Sequence, residues 1–257
     1  MPGIERVVAN DESHIKHCYA IISGKGGVGK SFVTSLLACK MQNKGYKVGI
    51  LDGDIVGPSI PKLFNLHEAA YGNDNQHIVP ALTKSGIKII SSNLMIEHED
   101  DPIIWRGSLV TTLLKQFYTE VAWGDVDFLF LDMPPGTSDV TLTAFQSIPI
   151  DGVIVVTSPQ ELVSLIVKKA IKMAKMMNIP IIGVIENMSY IECPKCKEKI
   201  ELYGKSRLEE YAKENELKPL CALPLRPEIS DLLDKEKVEE VAKYFDEIDV
   251  VIDELEN

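Results

Sequence analysis

Residues 24–31 read Gly24-Lys25-Gly26-Gly27-Val28-Gly29-Lys30-Ser31. This is a G-x-x-x-x-G-K-[ST] run that directly follows an apolar stretch and directly precedes a helical one. Few local patterns restrict a fold as strongly. The glycines let the backbone curl so that successive N–H groups and the N-terminus of the next helix converge on an anion. In such a loop Lys30 reaches the β and γ phosphates of a nucleotide, and Ser31 supplies the hydroxyl that ligates Mg²⁺. A glycine-rich turn that only caps a helix has no need of the full spacing, nor of a strand before and a helix after.

The rest of the chain keeps the same strand-then-helix rhythm. Short apolar runs occur at 19–23, 47–51, 87–91, 128–132, 152–157, 180–185 and 220–223. They lack polar alternation, which predicts strands covered on both faces. Helix candidates at 29–43, 109–122, 140–146 and 161–177 are long enough for right-handed crossovers. The expectation is therefore α/β: a doubly wound, mainly parallel sheet with helices on both faces, one domain over residues 1–257. Within 161–177, Leu162, Ile166, Ala170, Met173 and Met177 recur at helical spacing and predict the buried stripe. Val238, Val241, Phe245, Ile248, Ile252 and Leu255 predict the same for an acidic helix at about 236–256. Gly72, Asn73, Asp74 and Asn75 predict a loop insertion or hairpin within 68–86.

Two of the strand candidates end in carboxylates. Residues 48–51 run into Asp52-Gly53-Asp54, and 128–131 run into Asp132-Met133-Pro134-Pro135-Gly136. The C-terminal ends of parallel strands are where doubly wound sheets hold their ligands. With 27 Lys+Arg against 38 Asp+Glu, the formal charge is −11. A protein that coats nucleic acid by counterion release is not expected at that charge, and the acidic C-terminal face would be repelled by anionic lipid. No apolar run approaches the roughly 20 residues of a membrane span. Residues 1–16 lack the apolar core of a secretory signal, so the expected location is cytoplasmic.

Five cysteines without a secretory signal argue against a disulfide framework. Cys18, Cys39 and Cys221 sit in apolar runs and read as small buried hydrophobes. Cys193 and Cys196 form a C-x-x-C pair. Two thiolates chelate one soft metal, but tetrahedral Zn²⁺ and Fe–S clusters normally take four protein ligands. One chain thus carries half a site, and a twofold dimer would bring two pairs together. A redox pair, a zinc knuckle finished by other residues, and two unrelated surface thiols are the competing readings.

With Lys25 one residue past the first glycine, the loop resembles that of the deviant Walker A ATPases, the group containing MinD, ParA and the nitrogenase iron protein. The resemblance implies a P-loop NTPase fold of the MinD/ParA kind, an ATP-binding set of Gly24 to Ser31 with Phe32, and a Lys25 that reaches across a dimer interface to the partner's nucleotide. It makes Asp132 the Walker B acid that holds Mg²⁺ through water, with Asp52 close to the metal and Asp54 orienting the attacking water. Lys25, Lys30, Asp54 and Asp132 are then the catalytic candidates, and Gly136 lets the loop after Asp132 move towards the γ phosphate. Asn187, in Glu186-Asn187-Met188-Ser189, matches the group's base-recognition loop, which implies that its amide reads the adenine edge.

Several segments together resemble the Mrp (ApbC) branch of that group: 52–59, Trp105-Arg106-Gly107, 132–139, Asn187-Met188-Ser189-Tyr190 with Cys193 and Cys196, and Leu223-Pro224-Leu225. The likeness spans about residues 16–230. Members of this branch are ATPases that carry or scaffold iron–sulfur clusters. The resemblance implies a homodimer that bridges a [4Fe–4S] cluster through paired Cys193 and Cys196 and delivers it to apo iron–sulfur proteins. ATP and Mg²⁺ are the implied cofactors, and neither nucleic acid nor membrane is an expected partner. The same thiolates accept Zn²⁺ in aerobic preparations. Lys197 follows the second cysteine where the branch usually has glycine, Ser108 replaces a proline, and Arg226 stands where an acid is common. A MinD/ParA-type positioning switch and an ATPase with a structural zinc at its dimer interface are the alternatives.

Overall fold

The computed structural model describes residues 6–68, 70–73, 75, 77–95, 108–160, 165–193 and 195–256. In chain order the first half contains β1 (Ser13–Ser23), α1 (Lys30–Asn43), β2 (Val48–Asp52), α2 (Ile60–Leu63), β3 (Tyr71–Gly72), β4 (Ile78–Val79), β5 (Ala81–Leu82), β6 (Lys88–Ile90), α3 (Ser108–Thr119) and β7 (Gly124–Asp132). There follow α4 (Asp139–Ser147), β8 (Gly152–Thr157), α5 (Leu165–Met176), β9 (Ile181–Glu186), β10 (Ile191–Glu192), β11 (Lys199–Ile200), α6 (Leu208–Glu214) and β12 (Pro219–Ala222). The chain closes with α7 (Ser230–Asp234), α8 (Val238–Val241) and α9 (Asp249–Leu255).

Among the described residues, eight strands form one sheet in the order β12-β9-β8-β1-β7-β2-β6-β5. Every neighbouring pair is parallel except β5–β6, which is antiparallel at the edge. The missing polar alternation has a direct cause, because both faces are covered. Ala20, Leu51, Leu131, Val155 and Val184 face one apolar layer with Leu114, Phe117 and Phe145. Ile21, Ile50, Phe130, Ile154 and Ile185 face the other with Leu36, Leu37, Phe245 and Ile252. Successive strand residues point to opposite faces, so adjacent apolar positions feed two different cores. α1 stops where Gly45, at φ +95°, closes the last turn by donating from its N–H to the Gln42 carbonyl at 2.9 Å.

Three sequence expectations change on contact with the structure. The acidic helix at about 236–256 is not continuous. It divides into α8, 3₁₀ turns at Ala242–Tyr244 and Asp246–Ile248, and α9. The break falls at Phe245, at φ −122° and ψ 71°, whose buried ring packs edge-on against Phe32 at 5.4 Å. Burial at 242, 245 and 248 steps by three, which suits the tighter 3₁₀ turn. Part of its acidic face meets α1, since Lys40 pairs with Asp246 and Asp249, and Lys44 with Asp253 and Glu256.

The buried stripe of α5 also differs from the expected one. Val167, Ala170, Ile171 and Ala174 are buried, whereas Ile166 is 41% exposed and Met173 and Met177 are only partly covered. Two alanines let the helix lie close to the sheet. Leu162 falls outside the described residues, as do Trp105, Arg106 and Gly107. Cys18 and Cys39 are buried as expected, while Cys221 is only half-buried. The 68–86 segment contains the antiparallel β3–β4 pair and the edge strand β5, so it is a hairpin followed by an added strand.

Candidate functional site

The phosphate loop leaves the C-terminal end of β1 at the centre of the sheet. Gly27 and Gly29 have φ of +85° and +78°, the left-handed region that glycine enters without strain. A Cβ at Gly29 would lie 2.3 Å from Asn187 Nδ2. The loop is pinned from the other side, where the Gly136 N–H donates to the Ser23 carbonyl at 2.8 Å. Gly136, at φ +81°, opens the turn that follows Asp132. Above the loop is a cavity of about 420 Å³ lined by residues 25–32 together with Asp54, Lys62, Pro135 and Leu233. Backbone N–H groups and three lysines, Lys25, Lys30 and Lys62, around such a hollow suit a polyphosphate.

Asp132 is the electrostatic centre of this site. It is fully buried at the end of β7, directly beside Asp52 in the β2–β7 register. The Lys30 ammonium lies 2.6 Å from Asp132 Oδ2, Ser31 Oγ donates to the same oxygen at 2.6 Å, and Thr34 Oγ1 donates to Oδ1 at 2.7 Å. A buried carboxylate is tolerated only when matched in this way. Asp52 accepts from Ser91 Oγ at 3.0 Å and from the Asp54 N–H at 3.3 Å. Burial, with Asp132 alongside, pushes its carboxyl up to about 7. Asp54 is half-buried, lines the cavity and is also raised, chiefly by burial. Serine and carboxylate oxygens of this kind are the hard ligands that Mg²⁺ takes alongside phosphate.

A second, mostly apolar cavity of about 440 Å³ adjoins the first through Gly29, Phe32, Leu63 and Leu233. Asn187, Met188, Leu225, Arg226 and Phe245 line its far side. Its size and lining suit a flat heterocycle. Asn187 is buried, and its Nδ2 donates to the Val28 carbonyl at 3.0 Å. Its amide group therefore secures the phosphate loop in this structure, in addition to bordering the base-sized cavity.

Cys193 and Cys196 lie in a small hairpin, β10 paired with β11, on the same sheet edge as the phosphate loop, just past the C-terminal end of β9. The Lys197 N–H donates to the Cys193 carbonyl at 2.9 Å, with Lys197 at φ +63°. Cys196 is exposed and Cys193 half-exposed. Backbone N–H groups of Cys196 and Lys195, and the Cys196 thiol, hold the Cys193 thiol below its usual range. Among the described residues, no group of three or more His, Cys, Asp or Glu side chains is placed to hold a metal.

The structure thus brings Lys30, Ser31, Asp52, Asp54 and Asp132 together with the loop glycines, and places the cysteine pair apart from them. Sequence reading missed Thr34 and Ser91. Thr34 lies one helical turn beyond Ser31 and was within reach of helix geometry. Ser91 meets Asp52 only because β6 neighbours β2.

A family model described as ParA, NUBPL iron-transfer P-loop NTPase, matches residues 14–255. The Clostridium perfringens iron-sulfur cluster carrier protein is 46% identical over 234 residues, covering 88% of this chain and 82% of that one. Its Methanocaldococcus jannaschii counterpart is 46% identical over 229 residues, covering 89% and 79%. A solved nucleotide-binding protein from Archaeoglobus fulgidus in complex with ADP superposes with a TM-score of 0.78 at 39% identity, over 88% of this chain and 89% of that one. The septum site-determining protein MinD of Pyrococcus horikoshii, complexed with Mg-ADP, superposes at 0.61 with 19% identity over 91% of each chain, a likeness of fold alone. No helix among the described residues is long and apolar enough to cross a membrane.

Proposed function

Because this chain belongs to the ParA-type family of NUBPL iron-transfer P-loop NTPases, we propose that it is an ATP-dependent iron–sulfur cluster carrier. It works as a cytoplasmic homodimer that bridges a [4Fe–4S] cargo between two Cys193/Cys196 pairs and hands it to apo iron–sulfur proteins. One observation carries the reading. A complete phosphate loop and an exposed, thiolate-prone half-set of cysteine ligands occupy the same edge of one sheet.

Each side chain then has a defined task. The loop N–H groups and Lys30 hold the phosphates, which requires the Lys30 ammonium to leave Asp132 Oδ2 for the incoming anion. Ser31 and Asp132, with Asp52 behind them, would hold Mg²⁺, which when bound neutralises charge on the transferring phosphoryl group. Asp54, on the cavity wall, orients the attacking water, and Lys25, exposed at the loop tip, serves the partner's nucleotide. Asn187, Phe32, Leu225 and Phe245 enclose the adenine. The names of the curated relatives and the ADP-bound neighbour support this reading.

Anaerobic reconstitution with iron and sulfide tests it, read by metal analysis, absorbance and mass in solution on one sample. The expected result is about four irons per two chains, lost in Cys193→Ala and Cys196→Ala while ADP binding persists. Stoichiometric iron and sulfide retained by either variant would refute the bridging site. One Zn²⁺ per two chains and no iron would instead indicate a structural zinc at the interface. ATP-dependent pelleting with vesicles or DNA would favour a positioning switch.

A further inference from the structure

Four residues, 187–190, separate the end of β9 from the cysteine hairpin, and together with Glu186 they are tied to several different elements. The Glu186 carbonyl accepts from the Leu223 N–H at 2.8 Å, and its fully buried side chain accepts from Ser189 Oγ through Oε2. Glu186 Oε1 is buried without a hydrogen-bond partner among the described residues. The Asn187 N–H donates to the Thr157 carbonyl at 2.8 Å, and Nδ2 grips the Val28 carbonyl of the phosphate loop. Met188 sits at φ +56°, where a non-glycine residue is strained. The Ser189 N–H donates to the Leu223 carbonyl at 2.9 Å, and the Tyr190 carbonyl accepts from the Leu225 N–H at 2.7 Å. The Tyr190 ring carries the Lys199 ammonium 4.2 Å from its centroid, and Lys199 pairs across the hairpin with Glu192.

We infer that 186–190 is a lever which reports occupancy of the nucleotide cavities to the cysteine hairpin, and that Glu186 and Ser189 are the positioning residues that make it rigid. The inference rests on the nucleotide-binding part of the reading above and adds a route to it. Met188 and Leu225 both line the base-sized cavity, so a base seated there presses on both rails of the lever. Asn187 has two places for its amide, the Val28 carbonyl and the ligand. Exchange of one for the other moves a backbone anchored on the far side by the strained Met188 turn. The buried Ser189–Glu186 contact keeps that turn from absorbing the displacement. Movement therefore passes to Tyr190 and from there to the hairpin.

The test uses the reduced full chain without iron and reads iodoacetamide alkylation of Cys193 and Cys196 peptide by peptide, with and without saturating ADP. Binding of ADP to each variant is measured separately by fluorescence titration. In the unaltered protein ADP changes the alkylation rate of the pair by at least about fivefold, the lower end of ordinary coupling between sites. Ser189→Ala and Asn187→Ala, at their own saturating ADP, reduce that response to less than about twofold, and Ser189→Thr restores it. Met188→Gly, which relieves the left-handed strain and so preserves folding, gives the same loss. Equal rates with and without bound ADP in the unaltered protein would overturn the lever, as would a full response in the Ser189→Ala and Met188→Gly variants. Failure to take up iron, with the ADP response intact, would remove the cargo and leave the lever standing. Failure to bind ADP would remove both.

Discussion

At the scale of the single residue, Lys30 and Asp52 make opposite contributions. Lys30 neutralises a buried carboxylate, so Lys30→Met removes a charge-assisted phosphate contact and strands Asp132. We expect ADP affinity to fall about 10- to 100-fold by calorimetry, and the melting temperature to drop because a buried charge loses its partner. Asp52 has its carboxyl raised to about 7. The folded protein binds this proton more tightly than the unfolded chain does, so Asp52's contribution to stability is lost as pH climbs from about 4 to about 7. Urea unfolding of the ligand-free protein at several pH values is expected to show this decline, and Asp52→Asn is expected to flatten it. Carboxylates held low by lysines, such as Asp125 and Asp127, act in the other direction and lose their contribution only as pH falls below the ordinary carboxylate range. The two windows therefore separate.

At the scale of the element, the phosphate loop and sheet were legible because their signals are local. A loop of fixed spacing and strands stripped of polar alternation both declare themselves within ten residues. The α5 stripe was not legible. Its contact is made by two alanines together with Val167 and Ile171, while Ile166 points outward, and hydrophobicity weights a long exposed side chain over a small buried one. Gly24 shows how tight the approach is, since a Cβ there would lie 2.9 Å from the Val167 backbone nitrogen. Ile166→Ser is accordingly expected to stay within about 0.5 kcal/mol of the parent in chemical denaturation, whereas Ala174→Leu costs about 1–3 kcal/mol by overpacking. The C-terminal segment misled for another reason: steps of three residues satisfy both α and 3₁₀ patterns. Phe245→Ala in that segment should cost roughly 3–5 kcal/mol and weaken ADP binding, because the same ring supports Phe32 and borders the base-sized cavity. The hairpin was legible as two cysteines and nothing more, since its position depends on β9, β12 and the 186–190 segment meeting in space.

At the scale of the whole molecule, the parallel strands gather their C-terminal ends on one edge, so loops from β1, β2, β7 and β9 converge although residues that touch there, such as Val28 and Asn187, lie 159 apart in sequence. Among the described residues no third His, Cys, Asp or Glu joins the cysteine pair as a metal-ligand group, so the proposed bridging site links assembly to metal loading. Sedimentation of the reconstituted protein should show two chains per iron cluster, with Cys196→Ala shifting the population towards single chains under the same conditions. The triple engagement of Asp132 carries one more consequence, for the order of events. An acid already engaged by Lys30, Ser31 and Thr34 has little to offer a free divalent cation, however abundant. The proposed function then predicts that the metal arrives with the nucleotide, once Lys30 has turned to the phosphates. Mg²⁺ alone should leave the melting temperature unchanged, while Mg²⁺ with ADP raises it beyond ADP by itself. On the proposed reading Lys30 is a built-in counter-ion that makes loading of the metal conditional on the nucleotide.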